Sequence, residues 1–591
     1  MKILADELFK EFREHSVSEF FRKNAAMLGY TGKIRSLTTV VHEGVTNAID
    51  AAEESNVLPT ISVAIKKVDE NPEHFKVIVE DNASGIPEEF ISNVFGKMLA
   101  GTKLHRNMQS RGQQGIGIVG GVMFSQITSG KPTSVFTSVG TGEIVQADVM
   151  IDVDKNEGKI VNGKKLKGDW RGTRVELELK DVTYVRSRYG PFNYLRMTAI
   201  ANPHAQITFT EPGGVLTVFE RATDKVPSRP KLMPPHPWGI ASDDLLILAK
   251  HTKSRTIASF LVAELSRVTR RKVEEIRRIS GEYLFSLPRG LKQEIKQKQV
   301  SEELREIFKQ HEYALTKKAE IQPIGKEWKI LDGKEEYMVK RDGSHLNIYR
   351  AMNFNRKPSE LTWEDSEKIV SAFRQVKFMA PPTEGLRPIG AEDIEKGMRQ
   401  ILKPEFVYAV TRTPKVYRGG IPFIVEASVA YGGSAGKVAS AENVEAETEG
   451  LELIRFANRA PLIFDQGGCA ITAAARNIDW RRYGVDISTA PLTLFVNVVS
   501  AYVPYTSAGK QSIAEEPEVY EEIRSTIMDV ARELRRYLYR KIRVKERQQR
   551  AGVFEQYLPI IAKKAADLAG VEEPDVKPLL RKVAGVENAE S

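Results

Sequence analysis

The 591-residue chain has little of what disulfide-stapled, metal-clustered or membrane proteins need. It contains one cysteine, Cys469, which excludes an intrachain disulfide framework and any cysteine metal cluster. No run of 18 or more apolar residues occurs, so no membrane span is predicted. The first residues, Met1 to Glu7, also lack the apolar core of a signal peptide. We therefore expect a cytoplasmic protein without a membrane partner.

The composition is that of an ordinary soluble protein with a basic balance. Apolar residues make up 41% and charged residues 28% of the chain, and its length suffices for three or four domains with their own cores. The formal net charge is +9, and the isoelectric point is about 9.1. A positive balance of this kind is consistent with a polyanionic partner such as nucleic acid.

Residues 37–122 contain the densest group of candidate site residues. Apolar residues between Leu37 and Ala52 recur at i, i+3, i+4 and i+8, which predicts one buried stripe of a helix. Glu43, Asn47 and Asp50 fall on its other side as neighbours. A carboxylate there can activate a water aimed at a phosphate, and an amide oxygen can ligate Mg²⁺. A solvated helix face is the simpler interpretation of these residues alone.

Two further pieces of this region favour a nucleotide site. Asp81 ends an apolar strand and opens a turn that includes Gly85, where a carboxylate can accept a hydrogen bond from an adenine amino group; a turn aspartate that bonds its own backbone is the alternative. Gly112, Gly115 and Gly117 then form a glycine loop whose backbone can approach phosphates closely. The loop has no closing Gly-Lys-Ser/Thr and no strand leading into it, so it is neither a Walker loop nor a dinucleotide fingerprint.

The order of these motifs resembles that of the GHKL ATPases, which include gyrase-type topoisomerases, heat-shock chaperone clamps, MutL and sensor histidine kinases. It runs Glu-x-x-x-Asn, Asp-x-x-x-Gly and Gly-x-x-Gly-x-Gly, and Gly172-Thr173 matches the last nucleotide-pocket motif. Within the family, segments 18–24, 422–427, 455–462 and 503–510 resemble the B subunits of type IIB DNA topoisomerases. The family's second motif carries a glycine where this chain has Ala83, and the added Cβ predicts a slightly displaced turn.

The resemblance implies the role of each site residue. Glu43 would be the general base, Asn47 the Mg²⁺ ligand and Asp81 the adenine reader, with ATP as the nucleotide. Lys510 would be the switch lysine that senses the γ-phosphate; Lys437, which also follows a glycine-rich segment, matches the family motif less well. The other residues implied to contact the nucleotide are Gly85, Thr102, Lys103, Arg111, Gly112, Gln113, Gln114, Gly115, Ile116, Gly117, Ile118 and Thr173.

The resemblance also implies a multidomain α/β and α+β fold. We expect an N-terminal strap in residues 1–25, a Bergerat-type ATPase α/β sandwich in 26–228 and a helix-two-turns-helix domain in 229–380. Residues 280–355 would be an insertion in that domain. Residues 381–545 would form a transducer domain that runs into a long basic C-terminal helix, which we predict to end near residue 550, and residues 546–591 a helical tail.

The function implied is that of an ATP-operated DNA gate in the cytoplasm, associated with the nucleoid. Two copies would dimerise on binding ATP and Mg²⁺ and trap double-stranded DNA. The chain shows neither a nucleophilic tyrosine signature nor a TOPRIM metal site, so an A subunit would cut the DNA within an A2B2 assembly. The alternatives are a chaperone-like ATP clamp, a sensor histidine kinase and an inactive ATPase. His42, beside Glu43, is interpreted as a helix-surface histidine.

Overall fold

The computed structural model describes residues 25, 29–98, 108–111, 117–152, 155–287, 300–324, 327–333, 335–342, 345–437, 450–507 and 509–584. Within these ranges the chain forms three β-sheets, each with helices packed on it. Over the same ranges, no helix is both long enough and apolar enough to span a membrane. The predicted N-terminal strap, apart from Ala25, lies outside the described residues.

The first sheet has eight strands, and its topology is mixed. The strand order is β5-β4-β3-β6-β2-β1-β7-β8; β1 and β7 run parallel, and all other neighbours are antiparallel. The predicted α/β sandwich is therefore confirmed. Its elements in chain order are α1 (Lys33–Glu54), β1 (Thr60–Lys67), β2 (Phe75–Glu80), α2 (Ile91–Gly96), α3 (Gly117–Ser129), β3 (Thr133–Val139), β4 (Glu143–Asp152), β5 (Glu157–Lys167), β6 (Arg171–Leu179), α4 (Pro191–Ala201), β7 (Gln206–Thr210) and β8 (Leu216–Phe219).

Helix α1 packs against this sheet through the apolar stripe that its sequence predicts. Leu37, Val41 and Val45 are fully buried, and they share one core with the alternate residues of β1 that face the helices. The helix and the sheet approach closely at Gly44, where an added Cβ would lie 3.0 Å from Val79 Cγ2. The missing side chain thus places the middle of α1 directly over β2, the strand that leads to Asp81.

The second part of the chain combines a helical core with an antiparallel sheet. The helices α5 (Ser242–His251), α6 (Ile257–Glu264), α7 (Arg270–Ile279) and α9 (Trp363–Gln375) enclose one apolar core. The sheet has the order β10-β11-β12-β13-β9 and packs on α8 (Glu302–Gln310). Its strands are β9 (Glu282–Leu287), β10 (Glu320–Ile324), β11 (Glu327–Asp332), β12 (Glu335–Asp342) and β13 (His345–Arg350). The strand content predicted between residues 328 and 349 is confirmed.

The third sheet has the order β14-β16-β19-β17-β18, with β15 paired to β16, and β17 runs parallel to β19. Strand β19 is buried at every position, as expected for the middle of a sheet covered on both faces. The elements are α10 (Ala391–Leu402), β14 (Phe406–Thr411), β15 (Lys415–Tyr417), β16 (Ile421–Tyr431), β17 (Leu451–Ala457), β18 (Ala460–Pro461), α11 (Ala470–Arg476) and β19 (Leu492–Ser500).

The C-terminal helix is longer than predicted. Helix α12 (Pro517–Ala569) has 53 residues and continues through Pro559, so the predicted end near residue 550 is wrong. Its first part is anchored by buried side chains such as Val519 and Leu534, whereas residues 539–550 are exposed. Its last turns are covered by α13 (Lys577–Ala584), and this contact buries Ala562 and Ala566.

Candidate functional site

Glu43 and Asn47 lie one turn apart on α1, on the side away from the core. The Glu43 side chain is 28% exposed, and Asn47 is exposed to solvent. The Glu43 carboxylate lies against the first residue of α3, because a Cβ on Gly117 would come within 1.9 Å of Glu43 Oε2. Only a glycine therefore leaves room for this carboxylate beside the helix that follows the glycine loop.

His42 is not the surface residue that the sequence predicted. Its side chain is 17% exposed, and its ring packs edge-on against Tyr194 with 5.2 Å between centroids. Its Nε2 lies 4.0 Å from Glu43 Oε1. Burial lowers the pKa of His42, Glu43 raises it and Lys510 lowers it, with a net shift downward. The prediction failed because α4, distant in sequence, covers this side of α1.

Asp81 lies in a buried turn at the end of β2. Its Oδ1 accepts the N–H of Ala83 at 2.9 Å and that of Thr173 at 3.2 Å. Both of these bonds end on Oδ1. None of the described residues donates a hydrogen bond to Oδ2, so this oxygen is available to a ligand. Burial raises the pKa of Asp81 to about 6 despite these two bonds and with a small contribution from Glu80. The carboxylate can thus accept a hydrogen bond from an amino group in an apolar environment.

The turn around Asp81 requires glycine at two positions. Gly85 has φ +75°, and a Cβ there would lie 2.1 Å from the carbonyl oxygen of Ser138. Gly172 has φ +144°, and its Cβ would lie 2.0 Å from the carbonyl oxygen of Asp81. Both glycines of the sequence motifs therefore allow backbone segments to meet beside the carboxylate.

Ala83 does not disturb this turn. It is 1% exposed, its backbone is not among the positive-φ positions of the described chain, and its N–H reaches Asp81. An L-residue is accommodated there without backbone strain. The expected displacement of the turn therefore has no structural cause in this chain.

Lys510 approaches the same region from the third sheet. It lies in the loop after strand β19, whose two ends are paired by an antiparallel bridge between Tyr505 and Ile513. Its backbone has φ +52°. Burial lowers its pKa, whereas Glu43 and Asp50 raise it, with a net shift downward. The ammonium thus lies within electrostatic range of α1. Lys437, by contrast, lines a groove beside Phe192, Val218 and Lys403.

Arg111 does not join these residues. Its guanidinium is bidentate to Glu53, with Nη1 3.0 Å from Oε2 and Nη2 2.8 Å from Oε1, and it also donates to Asp50 and Asn202. The side chain is 9% exposed and is engaged in this buried cluster. Two carboxylates hold this guanidinium, so the backbone of Arg111 is the part that stays available to the predicted contact with the phosphates.

The remaining predicted residues divide into two groups. Thr173 lies beside Asp81, and Ile118 is half-buried in the first turn of α3. The others lie outside the described residues: Thr102, Lys103, Gly112, Gln113, Gln114, Gly115 and Ile116.

The donor set around Asn47 fits Mg²⁺. Among the described residues, no group of three or more His, Cys, Asp or Glu side chains could hold a metal ion. Mg²⁺ is commonly held by one or two protein oxygens together with substrate phosphates and waters, rather than by a cage of side chains. Asn47 is exposed to solvent, and its amide oxygen can be such a protein ligand of Mg²⁺.

Sequence reasoning missed several residues that shape the site. Thr137 accepts the N–H of Ile86 at 2.8 Å and donates to the carbonyl of Gly172 at 3.2 Å, which joins the two glycine turns. Glu53 gathers Arg111, His204 and Arg459 in one cluster. Only Arg459 had a signal, since it lies within the 455–462 segment that resembles the family.

The site and the fold together define a class of ATPase. Residues 32–181 match the family described as histidine kinase-, DNA gyrase B- and HSP90-like ATPase. Residues 381–550 match the family described as the transducer of the topoisomerase VI B subunit. The first match contains Asp81, and the second contains Lys510.

Full-length relatives identify the family more narrowly. The B subunit of type 2 DNA topoisomerase 6 from Thermococcus sibiricus is 51% identical over 98% of this chain and 95% of that protein. The corresponding protein of Pyrococcus horikoshii is 52% identical over 98% and 96%, and that of Methanothermobacter thermautotrophicus 44% over 97% and 96%. The chain belongs to the family of type 2 DNA topoisomerase 6 B subunits, and it is an ATP-hydrolysing component of such a topoisomerase. The predicted resemblance is confirmed.

Proposed function

We propose that this chain is the ATP-operated gate of an A2B2 topoisomerase. Two copies dimerise when they bind ATP and Mg²⁺ and enclose a DNA duplex, and an A subunit makes the transient double-strand break. Passage of the enclosed duplex relaxes and decatenates DNA in the nucleoid. The observation that carries the proposal is that Lys510, in the loop after the third sheet, lies within electrostatic range of Glu43 on α1, the helix that packs on the first sheet.

The proposed roles of the site residues follow from their chemistry. Glu43 accepts a proton from the attacking water, since its carboxylate is partly exposed and held beside Gly117. Asp81 accepts the adenine amino group through Oδ2. Asn47 holds Mg²⁺, which supplies charge neutralisation of the phosphates. Lys510 contacts the γ-phosphate, with which a positive charge pairs favourably in a partly buried site.

The glycine loop is proposed to close over the phosphates. The residues assigned to this lid are Thr102, Lys103 and the backbone of Arg111 to Ile118. Gly85 and Thr173 support the adenine side, since both flank Asp81. Loss of the γ-phosphate would release Lys510 and bias the two sheets towards a different relative arrangement.

The domain boundaries are part of the proposal. Residues 26–228 carry the ATPase, 229–380 the helix-two-turns-helix unit with its insertion at about 280–355, and 381–545 the transducer. The N-terminal strap in 1–25 and the tail in 546–591 flank them. The exposed basic stretch of α12, with nine Lys or Arg against two Glu in residues 532–550, supports a contact with DNA or with the A subunit above it.

The test is ATP hydrolysis by the chain with and without its A subunit and supercoiled DNA. We expect hydrolysis that DNA stimulates only when the A subunit is present, together with relaxation that needs ATP and Mg²⁺. Glu43→Gln should keep ATP affinity within about threefold and lower turnover by about 10²–10⁴-fold. Hydrolysis indifferent to both DNA and the A subunit would instead indicate a chaperone-like clamp.

A further inference from the structure

A loop of the third sheet is inserted into the core of the first. Residues 462–465, which we call the docking loop, follow β18 at the edge of the third sheet. Ile463 and Phe464 are 4% and 7% exposed, and both belong to the apolar core formed by α1, α3 and the eight-stranded sheet. The unit built on the third sheet therefore does more than contact the surface of the unit built on the first sheet. It inserts two apolar side chains, which we call the plug, into the core of that unit.

The docking loop is fixed to the beginning of α1. Asp465 accepts a bidentate hydrogen bond from Arg35, with distances of 3.0 and 3.1 Å. The Arg35 guanidinium also lies 4.6 Å from the centroid of the Phe464 ring, and Tyr189 stacks on that ring at 6.0 Å. Arg35 precedes Glu43 by eight residues, about two turns of the same helix. A displacement of the docking loop therefore acts on the helix that carries Glu43 and Asn47.

Two side chains of the third unit hold the backbone of this loop. Gln511 Oε1 accepts the N–H groups of both Ile463 and Phe464, each at 3.2 Å. Arg455 donates through Nη2 to the carbonyl of Leu462 at 2.9 Å and to that of Phe464 at 2.7 Å. Gln511 is 8% exposed and Arg455 1%, so water cannot readily replace these bonds. The two side chains together thus bond four backbone groups of the docking loop.

Gln511 directly follows Lys510 in a constrained turn. The turn is closed at its base by the bridge between Tyr505 and Ile513 and by the N–H of Thr506, which donates to Ser512 at 3.0 Å. Lys510 adopts φ +52°, a conformation that L-residues rarely take, and its N–H donates to Ser507. The two ends of the turn are held together, and Lys510 has a strained backbone conformation. A movement of the Lys510 backbone is therefore transmitted directly to the next residue, Gln511.

We propose that Gln511 is a positioning residue that ties Lys510 to the docking loop, so that contact of Lys510 with the γ-phosphate is transmitted to α1. This inference rests on the proposed role of Lys510. With the γ-phosphate bound, Lys510 and Gln511 keep their places and the docking loop stays inserted. Without the γ-phosphate, the turn relaxes, Gln511 leaves the two N–H groups, and the plug in the ATPase core loosens.

The test uses the full chain and compares its affinity for a non-hydrolysable ATP analogue with its affinity for ADP. Gln511→Met keeps the length of the side chain but removes the acceptor, and Gln511→Asn keeps the amide but is one methylene too short. Both should lose at least tenfold in the preference for the ATP analogue, with ADP affinity unchanged within about twofold. Gln511→Glu retains an acceptor at the same reach and should keep the preference within about threefold.

Gln109 provides a matched control. It is 5% exposed and also holds two backbone groups across the same joint: its Oε1 accepts the N–H of Arg387 at 2.7 Å, and its Nε2 donates to the carbonyl of Arg387 at 2.9 Å. It has no bond to the docking loop. Gln109→Met should therefore leave the preference between the ATP analogue and ADP at the wild-type value.

Lys510→Ala separates failure of this inference from failure of the proposed function. If Lys510→Ala leaves the preference unchanged, the role of Lys510 is wrong. If it abolishes the preference while Gln511→Met and Gln511→Asn retain it, only the positioning role of Gln511 is overturned. An equal loss in Gln109→Met would overturn it too, since general loosening of the joint would then explain the result. The double variant Lys510→Ala/Gln511→Met should resemble Lys510→Ala alone, since the two residues act as one unit.

Discussion

At the scale of single residues, the site depends on groups that are held at a cost. Lys510 has a positive φ, Asp81 is ionisable in a buried turn, and Glu43 needs the space left by a missing side chain. Unfavourable local states of this kind persist only where the surrounding structure enforces them, and they concentrate at functional sites. The glycine beside Glu43 and the buried carboxylate can each be tested by a single substitution.

Gly117→Ala should disable hydrolysis without unfolding the chain. The new Cβ would lie 1.9 Å from Glu43 Oε2, so the carboxylate must move away from its present position. We expect turnover to fall by about 10–100-fold, since a shift of about 1 Å in a catalytic group has effects of this size. Steady-state hydrolysis and thermal melting check this. Gly552→Ala, at an exposed helical glycine with nothing within 4 Å, should change neither. A fully active Gly117→Ala enzyme would contradict the assigned position of Glu43.

Asp81→Asn should stabilise the chain at high pH while weakening nucleotide binding. Burial raises the pKa of Asp81 to about 6, so folding opposes ionisation above the pKa of the unfolded chain, near 4. The resulting loss of folding stability is fully present at pH 8, declines as the pH falls through 6, and vanishes below 4. Asparagine can still accept the two N–H groups. We expect a gain of about 1–3 kcal/mol in the free energy of unfolding at pH 8 and none at pH 4, measured by denaturant titration. A gain that does not depend on pH would exclude this cause.

At the scale of elements, helix α1 connects the nucleotide site to the interface between the units built on the first and third sheets, which we call the joint. One helix carries Arg35 at the docking loop, Glu43 and Asn47 at the nucleotide site, and Glu53 in a buried cluster with Arg111 and Arg459. Burial would raise the pKa of Glu53, but Arg111, His204 and Arg459 together hold it well below its ordinary value. The cluster joins the residue that precedes the glycine loop to the third sheet.

Glu53→Gln should therefore destabilise the chain and weaken the joint. It leaves Arg459 buried without a carboxylate partner, and removing one member of a buried ion pair typically costs about 3–5 kcal/mol. The free energy of unfolding from denaturant titration measures this loss. Glu392→Gln, which breaks an exposed pair with Lys396 one turn away on α10, should leave stability unchanged. Equal effects of the two substitutions would show that the cluster contributes no more than a surface pair.

At the scale of the whole molecule, the chain has a compact joint and a projecting arm. Helix α12 is about 80 Å long, and its first part is built into the third sheet, with Val519, Ile523 and Ile527 fully buried. Lys541 still pairs with Glu405 of the third unit, the stretch after it is exposed, and the last turns pack on α13. The distal part therefore contributes little to the core that holds the nucleotide site.

Truncation after residue 545 should separate ATP hydrolysis from assembly. We expect the shortened chain to melt within a few degrees of the full chain and to retain basal ATP hydrolysis, because the core residues of α12 precede the cut. Co-purification with the A subunit should be lost, and with it DNA-stimulated hydrolysis. Full assembly of the truncated chain would place the A-subunit contact elsewhere on the molecule.

The sequence by itself determined the elements and the motifs. The apolar period of α1 and the order of Glu43, Asn47, Asp81 and the glycines are local patterns; the structure confirms the buried stripe of α1, and the family of the relatives is the one that the motif order indicates. The end of α12 was mispredicted, because α13 covers its last turns and no local pattern reports that packing.

Only the tertiary structure decided which distant side chains and backbone groups meet. Arg111 belongs to a buried cluster, His42 is covered by α4, and Gln511 holds a loop about 50 residues away in sequence. Each of these contacts joins segments far apart in the chain, and sequence spacing gives no information on which partner a buried polar group will find. Since such a group must find one, the fold assigns the pairs that couple the two units.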